Sequence, residues 1–98
     1  MKIEKTINGS AAVLKIAGAL DTETAPELEA LLRSEMAGID DLTFDFEELD
    51  YVSSAGLRVI IFAQKMMNAV GKMKIIHVNE SIMEIFEITG FTTILTIE

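Results

Sequence analysis

The stretch Ser53-Ser54-Ala55-Gly56-Leu57-Arg58 concentrates the candidate chemistry of this chain. Two hydroxyls are followed by two residues with little or no side chain, directly ahead of a long apolar-rich segment. Small residues at a strand-to-helix junction leave backbone N–H groups exposed, and a helix N-terminus attracts anions through those groups and its dipole. Ser54 falls at the cap or in the first turn. Its hydroxyl has two uses there. It caps the helix, the ordinary role of serine at such a position, or it accepts a phosphoryl group. A phosphoserine carries about −1.5 to −2 charge at neutral pH, and a helix N-terminus is where that charge is tolerated best.

Other side chains offer less. His77 is the single histidine and lies between Ile76 and Val78; without partners for catalysis or metal binding it reads as structural or exposed. Asp40, Asp41, Asp45, Glu47, Glu48 and Asp50 are dense, but they lack the regular oxygen-ligand spacing and central glycine of a calcium loop. They read as a solvated acidic rim. Met66, Met67, Met73 and Met83 read as fillers of core gaps. There is no glycine-rich nucleotide loop and no Ser/His/Asp arrangement with supporting motifs. No catalytic residue, cofactor or metal is therefore expected.

These side chains must be positioned by a chain of 98 residues with 16 acidic and 8 basic groups, a net charge of −8. That length suits one domain, residues 1–98, with a modest core. The acidity argues against a protein that grips a nucleic-acid backbone or an anionic membrane. An apolar half argues against disorder. The absence of cysteine removes disulfides, thiolate metal sites and thiol nucleophiles. Met1-Lys2-Ile3-Glu4-Lys5 has no apolar targeting run, and the longest apolar run, Val59 to Ala63, is far short of the roughly 20 residues that span a bilayer. A soluble, unsecreted protein is expected. Internal repeats and low-complexity linkers are absent.

Periodicity and breakers place the elements. Ile3 to Ile7 reads as an edge strand turned by Asn8-Gly9, and Ala11 to Ala17 as its partner, broken by Gly18-Ala19-Leu20-Asp21. A helix is expected over about 25–37, capped by Thr24, with Pro26 in its first turn and Gly38 at its stop. Leu42 to Phe46 alternates as a strand, and Glu47 to Val52 reads as a loop or short extension. A long helix follows over about 55–70, closed by Gly71. A strand over 74–78, a short helix capped at Asn79 and a last strand from Phe91 to Ile97 complete the chain. The order is β-β-α-β-α-β-α-β. It predicts an α/β domain with a mixed, mostly parallel sheet of 4–5 strands and helices mainly on one face.

On the long helix, Leu57, Ile60, Ile61, Gln64 and Met67 fall on one side and Val59, Phe62, Met66 and Val70 on another. The stripe is broader than one packed face needs. It fits a helix wedged between the sheet and a neighbouring helix. The sharper alternative is an Arg58–Phe62–Met66 edge that docks a partner, since methionine and aromatic side chains favour interfaces.

Tyr51-Val52-Ser53-Ser54-Ala55-Gly56-Leu57-Arg58-Val59-Ile60 resembles the signature loop of STAS domains, specifically the bacterial anti-sigma factor antagonists. Gly18-Ala19-Leu20-Asp21 ahead of a helix is similar to the family's recurring Gly-x-Leu-Asp stretch. The closing Gly90-Phe91 extends the likeness over nearly the whole chain. The resemblance implies a non-enzymatic, cytoplasmic regulator. An anti-sigma factor that is itself a serine kinase phosphorylates the loop serine, the unphosphorylated form binds that kinase, and a phosphatase resets the cycle. It places the phosphoacceptor at Ser54. The family most often has aspartate just before that serine. This chain has Ser53, which leaves Ser53 as the fallback acceptor. The implied partner surface comprises Asp21, Ser53, Ala55, Gly56, Leu57, Arg58 and Phe62. Asp21 is expected near the loop, either to position the serine or to meet the kinase, and the free protein is expected to be a monomer. A second function fits the same resemblance: a non-switching STAS subunit of a membrane transport assembly, such as a lipid transporter.

Overall fold

Asn8-Gly9 reverses the chain, with Gly9 at φ +63°, and joins strands β1 (Lys2–Asn8) and β2 (Ala11–Leu20) in an antiparallel pair. The computed structural model describes residues 1–98. It continues with α1 (Ala25–Glu35), β3 (Asp41–Asp45), β4 (Leu49–Val52), α2 (Ser54–Asn68), β5 (Lys72–Ile76) and α3 (Glu80–Thr89), and a 3-10 turn spans Phe91–Thr93. The strands form one mixed sheet in the order β1-β2-β3-β5, with β4 also beside β2. All pairings except β1–β2 are parallel. This is the mostly parallel α/β sheet that the element order predicts.

Strand alternation decides where the core lies. Ala12, Leu14 and Ile16 of β2, Leu42 and Phe44 of β3, and Met73 and Ile75 of β5 are buried on the helical side. Val13, between two of them, is exposed on the other side. Leu28 and Leu32 of α1 and Val59, Ile60, Ala63 and Met67 of α2 complete the same cluster. Phe44 and Phe46 lie fully buried with ring centroids 5.6 Å apart. Each such ring contributes about 1.5–3 kcal/mol by leaving water. Gln64 is the polar intruder on α2: it is buried, its Nε2 donates to Asn68 Oδ1 at 2.8 Å, and its Oε1 has no partner.

The observed order, β-β-α-β-β-α-β-α, corrects the expected one at four places. First, Gly18-Ala19-Leu20 does not break β2. Gly18 adopts φ +92°, open to glycine at little steric cost, and the register shifts between Gly18 and Ala19. This bulge bends β2, so that its first half pairs with β3 and its end pairs with β4. Second, residues 49–52 are a strand and not a loop. Third, Phe91 to Ile97 is not a strand. Its β-branched residues form a 3-10 turn and a single parallel bridge from Ile97 to Ile75, with Leu95 filling the core. Fourth, β5 starts at Lys72 and stops at Ile76, which leaves His77 outside it.

His77 has φ +60°, a conformation that costs a residue with a Cβ about 1–3 kcal/mol. Its Nδ1 lies 2.9 Å from Asp45 Oδ1, which holds the turn into α3. Burial pushes the Asp45 carboxyl up, but hydrogen bonds from His77 and the Glu47 N–H, helped by the His77 and Lys15 charges, outweigh it and hold the carboxyl below its usual range. The expected acidic rim is thus partly engaged. Asp45 pairs with His77, Glu47 with Lys15 and Asp41 with Lys72.

Candidate functional site at the start of the second helix

The bulge in β2 carries Leu20 and Asp21 to the end of the sheet where β4 hands the chain to α2. The Ser53 N–H donates to Leu20 O at 2.9 Å, so the loop serines begin one backbone contact from Asp21. Gly56 explains how closely α2 starts against the sheet. A Cβ there would lie 2.6 Å from Leu20 O, 2.8 Å from Leu20 Cγ and 2.9 Å from Val52 Cγ2. Only glycine lets the first turn of α2 seat on the ends of β2 and β4.

The two serines have different jobs. Ser53 is the N-cap: its Oγ accepts from Gly56 N at 3.2 Å and its carbonyl from Leu57 N at 2.8 Å. Ser54 is the first residue of the helix, and it is exposed. Its hydroxyl has no hydrogen-bond partner in the protein. The N–H groups of Ser54 and Ala55 belong to the first turn and have no intrahelical acceptor. No acidic residue stands in that turn.

Asp21 lies next to the loop but organises the turn into α1. Its Oδ1 accepts from the N–H groups of Glu23 and Thr24, each at 3.0 Å. The Thr24 hydroxyl accepts from Asp21 N at 2.8 Å and has Ala19 O at 2.9 Å and Asp21 Oδ1 at 3.1 Å within reach of its proton. Thr24 therefore sits at the cap position of α1 without capping it by its side chain. The Asp21 carboxylate holds that turn and has no bond to Ser53 or Ser54. The Thr24 N–H is the largest influence on it. With the Thr24 hydroxyl and the Glu23 N–H it draws the carboxyl below its usual range, against partial desolvation.

Between α1 and α2 runs a groove of about 460 Å³ that reaches Ala55, the residue after Ser54. Thr22, Pro26 and Arg33 line it from α1 and its lead-in, and Ala55, Arg58 and Val59 from α2. Arg33 is engaged twice, by Glu29 Oε2 at 3.0 Å and by the Phe62 ring, 4.5 Å from the guanidinium carbon to the ring centroid. Arg58 is exposed and takes part in none of the ion pairs. Met66 lines a second, apolar hollow of about 330 Å³ at the far end of the helix pair, with Met36 and Val70. The Arg58–Phe62–Met66 edge is thus one side of an interhelical seam. Arg58 stands beside Ser54, while Phe62 and Met66 recede along the seam.

Sequence patterns do not single out Thr22, Pro26 and Arg33 of this groove. The available signal is the Glu29–Arg33 i,i+4 pair on an otherwise unremarked face of α1. Tyr51, exposed on β4 beside the loop, is a second feature that a loop assignment conceals.

A serine-bearing helix start beside a bent strand marks this β-β-α-β-β-α-β-α domain, and its relatives place it in a family. Residues 2–98 match the STAS domain, and the chain belongs to that family. It is 32% identical over 97 residues to the anti-sigma-B factor antagonist of Staphylococcus aureus, covering 97% of this chain and 90% of that protein. The fold is shared with the phosphorylated form of the Bacillus cell fate determinant SpoIIAA, at a TM-score of 0.79 and 15% identity over 99% of this chain and 91% of that one. It is shared as well with a sulfate transporter family protein from Wolinella succinogenes, at a TM-score of 0.77 and 13% identity over 91% of this chain and 74% of that one. No helix is long and apolar enough to cross a membrane.

Proposed function

We propose that the protein is a cytoplasmic, non-enzymatic anti-sigma factor antagonist that works by partner switching. Unphosphorylated, it binds an anti-sigma factor that is also a serine kinase. Phosphorylated on Ser54, it is released, and a serine phosphatase restores binding. In the transfer, Ser54 Oγ bonds to the γ-phosphorus of ATP on the kinase, the bond to the β-phosphate oxygen breaks, ADP leaves, and the hydroxyl proton passes to the kinase.

The observation that carries this reading is the division of labour between the serines. Ser53 spends its hydroxyl on the cap, and Ser54 presents a free hydroxyl to solvent one residue on. That favours Ser54 over Ser53 as acceptor. The contact surface would comprise Asp21, Ser53, Ala55, Gly56, Leu57, Arg58 and Phe62 around that hydroxyl. Likeness to a transporter-family domain lies in the fold alone, so a fixed subunit of a transport assembly is the weaker reading.

Phosphorylation would take the net charge from −8 to about −10. The sign does not change, so the signal is local. A kinase face that fits closely around Ser54, with complementary basic patches, must then bury a charge it was not built for. That costs several kcal/mol, and about 4 kcal/mol is a thousandfold in affinity. Within the free antagonist the dipole returns only about 0.3–1 kcal/mol. Intact-mass measurement after incubation with the candidate kinase and ATP tests the reading. The expected result is a gain of one phosphate that vanishes in Ser54→Ala and persists in Ser53→Ala. A gain unchanged in Ser54→Ala, or none at all, overturns it.

A further inference from the structure

Arg58 lies four residues after Ser54 on α2, about 6 Å further along the helix axis and on the same face. An acidic group placed N-terminal to a basic one at this spacing is the favourable orientation for an ion pair on a helix. In the unphosphorylated protein this arginine has no acidic partner. Glu29, the carboxylate of α1 that shares its groove, is held by Arg33. Asp21, next in sequence to the Leu20 that bonds to Ser53, is turned into the α1 cap. Lys65, the other cation of α2, stands two turns further on. One exposed guanidinium without a partner thus stands a single turn from the exposed Ser54 hydroxyl.

We propose that Arg58 is the built-in counter-ion of phosphorylated Ser54, a positioning residue that changes partner when the phosphate arrives. The proposal rests on the reading of Ser54 as the acceptor. The guanidinium fork matches two phosphate oxygens, which a lysine ammonium cannot do in the same geometry. Pairing draws the side chain of Arg58 toward the start of α2. It thereby removes the one unpaired cation from the groove between α1 and α2. Phosphorylation then alters the surface twice: it adds a dianion at Ser54 and withdraws a positive charge from the adjoining groove. Arg33 does not compete, because Glu29 and the Phe62 ring already hold it.

The test installs phosphoserine at position 54 during translation, so no kinase is needed and failure of Ser54 as a kinase substrate stays a separate result. Phosphorus NMR then follows the second ionisation of the phosphate in the otherwise wild-type protein and in Arg58→Gln, Arg58→Lys and Arg33→Gln. Arg58 is exposed, so its variants should keep the wild-type thermal midpoint when unphosphorylated. The second pKa is expected to rise by about 0.3 unit in Arg58→Gln, by less in Arg58→Lys, and not at all in Arg33→Gln. At 1 M salt, where the Debye length is about 3 Å, the difference should shrink. Equal values for wild type and Arg58→Gln, or a larger rise in Arg33→Gln, overturn the proposal.

Discussion

The helices α1 and α2 begin side by side at one end of the sheet, tied to successive residues of the same strand end. Ser53 N bonds to Leu20 O, and Ala25 N to Asp21 O. Their electrical states differ. At α1 a carboxylate is resident: Asp21 takes two N–H groups ahead of the helix, and Glu27 adds a second charge in the first turn. At α2 a neutral hydroxyl caps one N–H, and the first turn holds no acid. Since the positive end of a helix dipole is stabilised by negative charge, α1 is already compensated and α2 is not. One helix start is a fixed joint, and its neighbour is free to receive charge. On the proposed reading, that contrast lets Ser54 take up a phosphate without a change of fold.

The strongest way to break the contrast is to charge α2 permanently. Ser54→Asp is expected to weaken binding to the kinase partner by about a thousandfold while leaving the circular dichroism spectrum unchanged. Isothermal titration against that partner gives the first number; equal affinity for mutant and wild type would sink the idea. Next in size is Gly56→Ala. The added methyl has to displace the Leu20 carbonyl, 2.6 Å away, and overpacking of this kind costs about 1–3 kcal/mol. For a domain of this size each kcal/mol lowers the thermal midpoint by about 4–8 °C. A midpoint at or above the wild-type value would mean that the helix start is not pinned to β2.

Ser53→Ala separates the two serines. Loss of the cap is expected to cost about 1 kcal/mol, read as an earlier midpoint in urea, with phosphate uptake at Ser54 retained. Loss of uptake together with normal stability would reassign the acceptor to Ser53.

The parts of the molecule that local pattern governs were legible in the sequence. The Asn8-Gly9 hairpin, Pro26 at the start of α1 and the Asn79 cap of α3 each depend on residues within a few positions of one another, and the structure keeps them; the strand expected over Leu42 to Phe46 is present one residue earlier, as Asp41–Asp45, with Thr43 buried between Leu42 and Phe44. What was hidden depends on distant partners. Gly18 looks like a breaker until β4 is beside it, when it becomes the bulge that lets one strand serve two neighbours. Phe91 to Ile97 has strand-like composition, but it opens as a 3-10 turn and meets the edge of β5 in a single bridge, Ile97 to Ile75. In the site, the pattern marked the loop but left Ser53 and Ser54 open as cap and acceptor. The division between them requires the hydrogen bond from Gly56 N. The α1 side of the groove was invisible for the same reason: nothing in the spacing of Thr22, Pro26 and Arg33 says which helix they will face.

The smallest effect sharpens the α1 side of the comparison and depends on pH. The Thr24 N–H, the strongest of the influences on Asp21, holds its carboxyl below the ordinary value in the folded protein. In the unfolded chain an aspartate titrates near pH 3.9. A carboxyl depressed by folding therefore contributes its stability in full above that pH, and loses it as pH falls through the lower folded value. Asp21→Asn is expected to be less stable than wild type at pH 7, with the two urea midpoints converging as pH falls from about 5 to 2. Asp45, also held low, is untouched by the substitution and supplies acid dependence to both proteins, so the mutant retains a shallower slope and not a flat one. A gap that stays constant over the same range would show that the substituted amide fails for want of shape and not of charge. The fixed joint at α1 would then owe nothing to the electrostatics that α2 leaves open.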